Sequence, residues 1–497
     1  MKSVQEMLKA RPWLGGVLFA ATVGVGVGVG LLLSSVATRK AEGRFAYTAK
    51  TDIAADEARN DVWGKAFPLE YESWLQTADT SFRSKHAGNG SIDLLERDPR
   101  MVVLWAGYAF AKDYSQSRGH AYAVEDIHKI LRTGAPNDTD KGPQPGTCWT
   151  CKSPDVPRMM AKIGPGEFYK QKWSDLGSEV VNSIGCLDCH DPKTMALRIS
   201  RPALVEAFAR QGKDVTKSTH NEMRSLVCAQ CHVEYYFKGP EKYLTFPWDS
   251  GFTVEKMEAY YDSIKFTDWT HALSKAPMLK AQHPDFEVFK MGIHGQRGLS
   301  CADCHMPYRT QGGQKFSDHH IQSPLNNIAN SCQVCHRESA DELRKNVEER
   351  QDKVMESRLQ LEDVLVRAHL EAKKAWESGA DSVTMKPILQ LIRKAQWRWD
   401  FATAGNGNAF HAPVEVARML GHGINFGQEA RIGLALTLQR LGVKEAVPYP
   451  DISTKAKAQE LAGLKMDKLH AEKQVFLNKV LPQWLRKAKE REDKLPR

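Results

Sequence analysis

The sequence predicts a mainly α protein in two styles, short helices and loops first and long helices afterwards. Three observations carry that expectation. Residues 45–340 are rich in Gly, Pro, Trp and Tyr and show no sustained apolar–polar alternation, so long strands are not expected there. From about Ala340, the residues Leu343, Val347, Val354, Leu361, Leu365 and Ala372 recur at intervals of four and seven amid dense charge, the stripe of an amphipathic helix. All ten cysteines fall into five Cys-x-x-Cys pairs, with none left for a structural disulfide, which commits them to other chemistry.

In chain order, the first segment carries Lys2, Lys9 and Arg11 and then an uncharged apolar run from Trp13 to about Ala37, with VGVGVGVG inside it. A basic lead followed by such a run reads as an export signal, and at roughly 25 residues it is also long enough to span a bilayer. Ser35-Val36-Ala37 offers a small-residue cleavage site, and the Gly repeats make a poor permanent helix, which favours cleavage. Residues 1–37 are therefore a signal peptide or an N-terminal membrane anchor. Either way the remainder is exported, with the periplasm as its expected compartment. Residues 45–340 hold all five cysteine pairs, and residues 341–497 form the long-helix region. The first long helix stops near Gly379, and others are expected at 383–400, 413–441 and 454–490, the last kinked or broken at Pro482. Such helices pack on each other or on a second copy; both a plain bundle and a homodimer interface fit the pattern.

The formal net charge of +9 invites an anionic partner. Nucleic acid is excluded, because an exported chain without basic clusters interleaved with aromatics has no surface for it. If the five pairs carry haem, their propionates add roughly ten negative charges and offset that excess.

Four of the pairs read CLDCH (186–190), CAQCH (228–232), CADCH (301–305) and CQVCH (332–336). Cys-x-x-Cys-His is the attachment signature of c-type haem, in which two thiols add to the vinyl groups and the adjacent His ligates the iron. Cysteine pairs also serve zinc ribbons and thioredoxin-like redox centres, but neither needs a His at the same offset four times. Cys186, Cys189, His190, Cys228, Cys231, His232, Cys301, Cys304, His305, Cys332, Cys335 and His336 are thus the expected attachment and proximal residues. An electron-transfer haem fills its sixth position with another side chain, whereas a catalytic one leaves it open. With 17 histidines the supply of distal ligands is ample, although spacing alone assigns none.

The fifth pair, Cys148 and Cys151, is followed by Lys152. A neutral amine can bind iron, but with a reference pKa of about 10.4 lysine must first lose its proton. Two readings stand at this point. Lys152 is the axial ligand of an unusual haem, or that haem takes a histidine from elsewhere and Lys152 lies on the surface.

One Cys-x-x-Cys-Lys followed by four Cys-x-x-Cys-His, in this order, resembles the pentahaem cytochrome c nitrite reductases, the ammonia-forming enzymes, over most of the chain past the leader. The resemblance implies a multihaem fold of short helices and loops around five covalently bound haem c groups, with the Lys152 haem as active site. In RGHAYAVEDIHKILRTGAP it makes His120 the distal ligand of the third haem and Arg132 an active-site cation. In CHVEYYF and LKAQHPDFE it places Tyr235 and His283 with Arg132 over the substrate. Glu234, Gln282 and the carbonyls of Tyr235 and Lys280 would bind one calcium ion, and an oxygen-rich set is what calcium takes. GIHGQ supplies His294 for the fifth haem, FSDHH supplies His319 (or adjacent His320) for the second, and FHAPVE supplies His411 for the fourth. Read singly, Arg132 is a basic residue near a helix end before Gly134, Tyr235 a core aromatic, and Glu234 and Gln282 surface groups.

The implied function is dissimilatory reduction of nitrite to ammonium. Nitrogen goes from +3 to −3, so six electrons must reach one open haem, and four bis-His haems provide the route. The implied partners are nitrite, an electron donor that is either a quinol-oxidising membrane protein or a soluble multihaem cytochrome, and a second copy of the chain. A non-catalytic multihaem carrier, a relative acting on hydroxylamine or sulfur oxyanions, and a zinc-binding structural protein are the competing readings.

Overall fold

The computed structural model describes residues 10–47, 53–405 and 407–495; Lys2 and Lys9 of the basic lead lie outside the described residues. The chain divides into two compact units, one comprising Met1–Asp52 with Tyr308–Ser317 and the other comprising Ile53–Pro307 with Asp318–Arg497.

In the first unit, Trp13–Tyr47 is one helix. Its Trp13–Lys40 stretch is long and apolar enough to cross a membrane and is 0% buried. The Gly–Val repeat, expected to be a poor helix, is helical throughout. A glycine costs about 1 kcal/mol in an aqueous helix, and the helix satisfies its backbone groups internally, as a membrane-spanning segment would require. The hairpin pairs Tyr308–Gln311 with Gln314–Ser317. Gly312 and Gly313 turn it with φ of +55° and +82°, both in the region that two-residue hairpin loops demand.

The second unit begins with short helices, 3₁₀ turns and two-stranded ribbons, and among the described residues no sheet exceeds two strands. Its core is aromatic: Trp63, Trp105, Trp149, Trp173 and Trp248 are fully buried here, joined by Trp397 and Trp399 from the long helices. One apolar cluster runs unbroken from Leu95 to Phe476, so the loop-rich and long-helix regions share a core.

The first long helix, Ala340–Glu377, opens on a capping box in which Ser339 Oγ accepts from Glu342 N while Glu342 Oε2 accepts from Ser339 N, satisfying two orphan donors. All six residues of its stripe are buried. Ser382–Ala404 and Pro413–Arg440 follow, and both expected spans are found. The third helix comes close to the first because Gly423 and Gly427 sit at the contact. A Cβ at either would lie 2.6 Å from Leu361 or Val364.

The expected helix at 454–490 is three helices, Lys455–Leu461, Met466–Val475 and Leu481–Glu492. The first break comes at Gly463 (φ +77°), where Gly463 N donates to Glu460 O and Leu464 N to Gln459 O, a glycine cap that the charge-rich pattern had obscured. Pro482 does mark a boundary, following a π turn at Phe476–Val480.

Candidate active site

Each Cys-x-x-Cys-His motif is a single tight turn. His190 N donates to Cys186 O, His232 N to Cys228 O and His336 N to Cys332 O, at 2.9, 2.9 and 3.0 Å, and Cys301–His305 is itself one helical turn. Residues i, i+3 and i+4 of such a turn share a face, which is why two cysteines and the histidine can serve one group. In CWTCK the turn is tighter, because Lys152 N donates to Trp149 O, three residues back, at 2.9 Å. All ten cysteines are free of disulfides. Among the described residues no three His, Cys, Asp or Glu side chains converge as a metal site.

Four histidine pairs face each other across the unit. Ring centres are 6.1 Å apart for His190 and His319, 6.4 Å for His232 and His120, 6.2 Å for His305 and His411, and 6.2 Å for His336 and His294. Two imidazoles sharing one metal, each bonded through nitrogen at about 2 Å, bring their ring centres to roughly 6 Å. The four gaps therefore fit an iron each, and every pair sets a motif histidine opposite the histidine that the family resemblance implies. Between His319 and His320 the structure opposes His319 to His190. Ser73 Oγ accepts from His319 N at 3.0 Å, and His320 N is turned to Asp318.

In three of the motif histidines the other ring nitrogen is held as a metal ligand requires. His190 Nδ1 lies 2.9 Å from Met195 O, His305 Nδ1 2.8 Å from Gln322 O and His232 Nδ1 3.4 Å from Asp285 Oδ2. Burial holds His120, His190 and His411 down to about 4, so each is a neutral imidazole, the form a metal takes.

The fifth motif carries no histidine and so has no place in such a pair. Arg132 sits in the 3₁₀ turn Leu131–Thr133, closed by Gly134 at φ +73°. Its Nη1 donates to Asp113 O at 2.8 Å and its guanidinium lies 4.3 Å over Phe110, while Gln144 Nε2 donates to Arg132 O. The charges of Arg132 and Lys152 both reach the Cys148 thiol, which burial pushes up to about 12. Tyr235 and His283 face each other with ring centres 6.5 Å apart. Burial, with the Lys152 charge adding to it, lowers His283 to about 3, and burial raises Tyr235 well above the usual phenol range. His283 is thus a neutral imidazole and Tyr235 a protonated phenol. Lys152, Arg132, Tyr235 and His283 are brought together.

Beside them Glu234, Lys280 and Gln282 also meet. Glu234 Oε2 accepts from Gln282 N at 2.6 Å, Glu234 Oε1 accepts from Tyr261 OH at 2.8 Å, and Gln282 Nε2 donates to Lys280 O at 3.2 Å. Three buried carboxylates, Glu234, Glu287 and Asp400, and the half-buried Asp268 surround this loop. Burial raises Asp268 to about 7 and Glu287 to about 8. The Lys280 ammonium pairs with Asp400 Oδ1 at 2.8 Å, and Glu287 Oε2 is buried without a partner. Burial thus penalises the charge of carboxylates that have one ammonium among them, a penalty a divalent cation would relieve.

Sequence reading missed Asp113, Glu287 and Asp400. Asp113 and Asp400 lie outside the motifs; Glu287 ends LKAQHPDFE but was not singled out.

The mainly α fold, the five attachment motifs and the four histidine pairs define a multihaem c-type cytochrome. The chain belongs to the cytochrome c552 family, whose family model matches residues 59–493. It is 59% identical over 482 residues to cytochrome c-552 of Bacteroides fragilis, covering 97% of this chain and 98% of the relative. To cytochrome c-552 of Porphyromonas gingivalis it is 57% identical over 491 residues, covering 98% of each. Its fold is similar to that of the catalytic subunit of cytochrome c nitrite reductase from Desulfovibrio desulfuricans, a structure with two calcium sites (TM-score 0.76, 32% identity, 83% of this chain and 91% of that one). The protein is an oxidoreductase of the cytochrome c nitrite reductase type, and its five motifs fit five covalently bound haem c groups.

Proposed function

We propose that this chain reduces nitrite to ammonium by six electrons at the Cys148, Cys151 and Lys152 motif, fed through four bis-His haems. The observation that carries the reading is the set of four histidine pairs at iron-bridging distance, one for each His motif, beside a Lys motif with its own polar cluster. Cys148 and Cys151 would tether a haem there and Lys152, as the neutral amine, would hold its iron; when bound, that group would supply the redox chemistry of nitrite reduction.

The chain's own groups do the rest. Arg132, fixed by Asp113 and by the Phe110 ring, presents a permanent cation to the nitrite oxygens and draws the anion in. His283, neutral at physiological pH, donates one N–H to a departing oxygen, and the protonated Tyr235 donates its O–H. Glu234, Gln282 and the carbonyls of Tyr235 and Lys280 would hold a calcium ion, whose charge would offset the buried carboxylates and fix the loop ending in His283. The Trp13–Tyr47 helix supports export to the periplasm as a signal or anchor. The expected donor is a membrane quinol-oxidising protein or a soluble multihaem cytochrome, and the long helices supply the face for a homodimer.

Nitrite reduction by wild type and Lys152→Ala tests the proposal, with haem content measured in both. Loss of turnover with five haems still attached supports it. Unchanged turnover in a fully loaded variant overturns it.

A further inference from the structure

The variable positions of three attachment motifs meet at one buried arginine. Arg201, 1% exposed, precedes the helix Pro202–Arg210. Its Nε donates to Thr150 O at 2.7 Å and its Nη2 to Ser153 O at 2.8 Å. Those two carbonyls bracket Cys151 and Lys152, so one guanidinium grips the peptide on both sides of the expected iron ligand. The same Nη2 pairs with Asp188 Oδ1 at 2.5 Å, and Nη1 donates to Ser200 Oγ at 2.7 Å.

Asp188 is the third residue of CLDCH, and its Oδ2 accepts from Gly185 N at 2.9 Å, ahead of that motif. Gln230 is the third residue of CAQCH. Its Nε2 donates to Asp188 O at 2.9 Å, and its Oε1 accepts from Ser200 N at 3.0 Å. Arg201, Asp188 and Gln230 are each at most 4% exposed. The arginine's charge also reaches Cys151, Cys189 and Cys231, the second cysteine of each motif.

A buried ion pair is a costly way to gain stability, since apolar packing often does as well; what it gives here is a fixed geometry and a fixed field. The planar fork of arginine satisfies four directed contacts at once, which a lysine cannot do. In a low-dielectric interior its charge favours the more electron-rich state of a nearby iron, and Asp188 partly offsets it.

We propose that Arg201 is a positioning residue shared by the first three motifs, which orients the Lys152 ligand and sets the reduction potential of the catalytic haem against those of the second and third. The inference rests on the reading that Cys148, Cys151 and Lys152 hold a haem. The one-electron uptake it tunes is reduction of ferric to ferrous iron by the electron the donor supplies.

The test is potentiometric titration of the purified holoproteins Arg201→Gln, Arg201→Lys and Asp188→Asn, followed by optical and paramagnetic resonance spectra, with covalent haem counted in each. Arg201→Gln is expected to lower the midpoint of the Lys-ligated haem most, and those of the His190 and His232 haems less. The His305–His411 and His336–His294 haems should be unmoved. Asp188→Asn is expected to shift the same haem upward. Arg201→Lys should restore most of the potential while broadening the high-spin signal, because the charge returns without the fork. Unchanged potentials, equal shifts at all five haems, or shifts of the same sign in Arg201→Gln and Asp188→Asn overturn the proposal. If Arg201→Gln does not accumulate with five haems, the sign of the Asp188→Asn shift decides alone. A wild-type count of four haems, with the Lys motif empty, sinks the underlying reading instead.

Discussion

Replacing Lys280 with methionine removes the ammonium paired with Asp400 beside the active site. Lys280 and Asp400 have side-chain exposures of 1% and 0%, with Nζ and Oδ1 2.8 Å apart. The ammonium also lies 4.8–5.8 Å from the ring centres of Phe110, Trp105 and Tyr114. Removing one partner of a buried pair costs about 3–5 kcal/mol, because the other charge stays in place. The desolvated cation–ring contacts add about 2 kcal/mol, of which a methionine sulfur recovers about 0.3–1.5 kcal/mol. Asp400 keeps only Ala281 N at 3.3 Å and Trp105 Nε1 at 3.5 Å, too little to satisfy a carboxylate. The expected loss for Lys280→Met is therefore about 5 kcal/mol, read from urea denaturation of the holoprotein at neutral pH. The double variant Lys280→Met/Asp400→Leu should regain at least half, since deleting both partners strands neither. Nitrite turnover should fall in the single variant with haem content retained, because Gln282 and His283 follow directly on the chain. A single variant within about 1 kcal/mol of wild type, or a double variant worse than the single, refutes the reasoning.

Other perturbations address the paired histidines and the buried Lys473. His319→Ala should convert one low-spin haem to high spin while His320→Ala leaves the low-spin count unchanged, as read by paramagnetic resonance of the oxidised protein. Gly292→Ala should disturb the haem served by His411, because an added Cβ would collide with the His411 carbonyl; a shifted low-spin signal at that haem alone is the expected result. Lys473 is buried against His128 O and Thr133 Oγ1, both at 3.0 Å, and burial lowers it to about 8. An unfolded lysine titrates near 10.4, so between about pH 8 and 10.4 the unfolded chain binds more protons and stability rises with pH. Denaturation across that window should show the wild type gaining on Lys473→Met by up to about 1.4 kcal/mol per pH unit.

Local rules carried far in this chain. The stripe from Leu343 to Ala372 and the capping residues Ser339 and Glu342 specify the first long helix without help from the rest of the molecule, and the helix forms as expected. The cysteine motifs are equally local, because four and five residues of one turn decide which side chains share a face. The distal histidines were legible only through the family's order of motifs. His120 and His232 are far apart in sequence, and nothing in either segment's pattern says that they meet. Hidden altogether were groups whose role comes from burial. Asp400 sits in a helix where its neighbours are apolar, and Arg201 reads as an ordinary basic residue before a Pro-initiated helix. Only the packed structure shows each to be enclosed with directed partners. The Gly463 break was missed for the opposite reason. A local glycine signal was present, but the surrounding helix-favouring charge outweighed it.

The most direct test of the account is the electron and nitrogen balance of the purified holoprotein, with a reduced viologen dye as donor and nitrite as the only acceptor. The account predicts six electrons consumed and one ammonium formed for every nitrite removed. Nitric oxide or nitrous oxide as the end product, or a dye that stays reduced when nitrite is added, would contradict it.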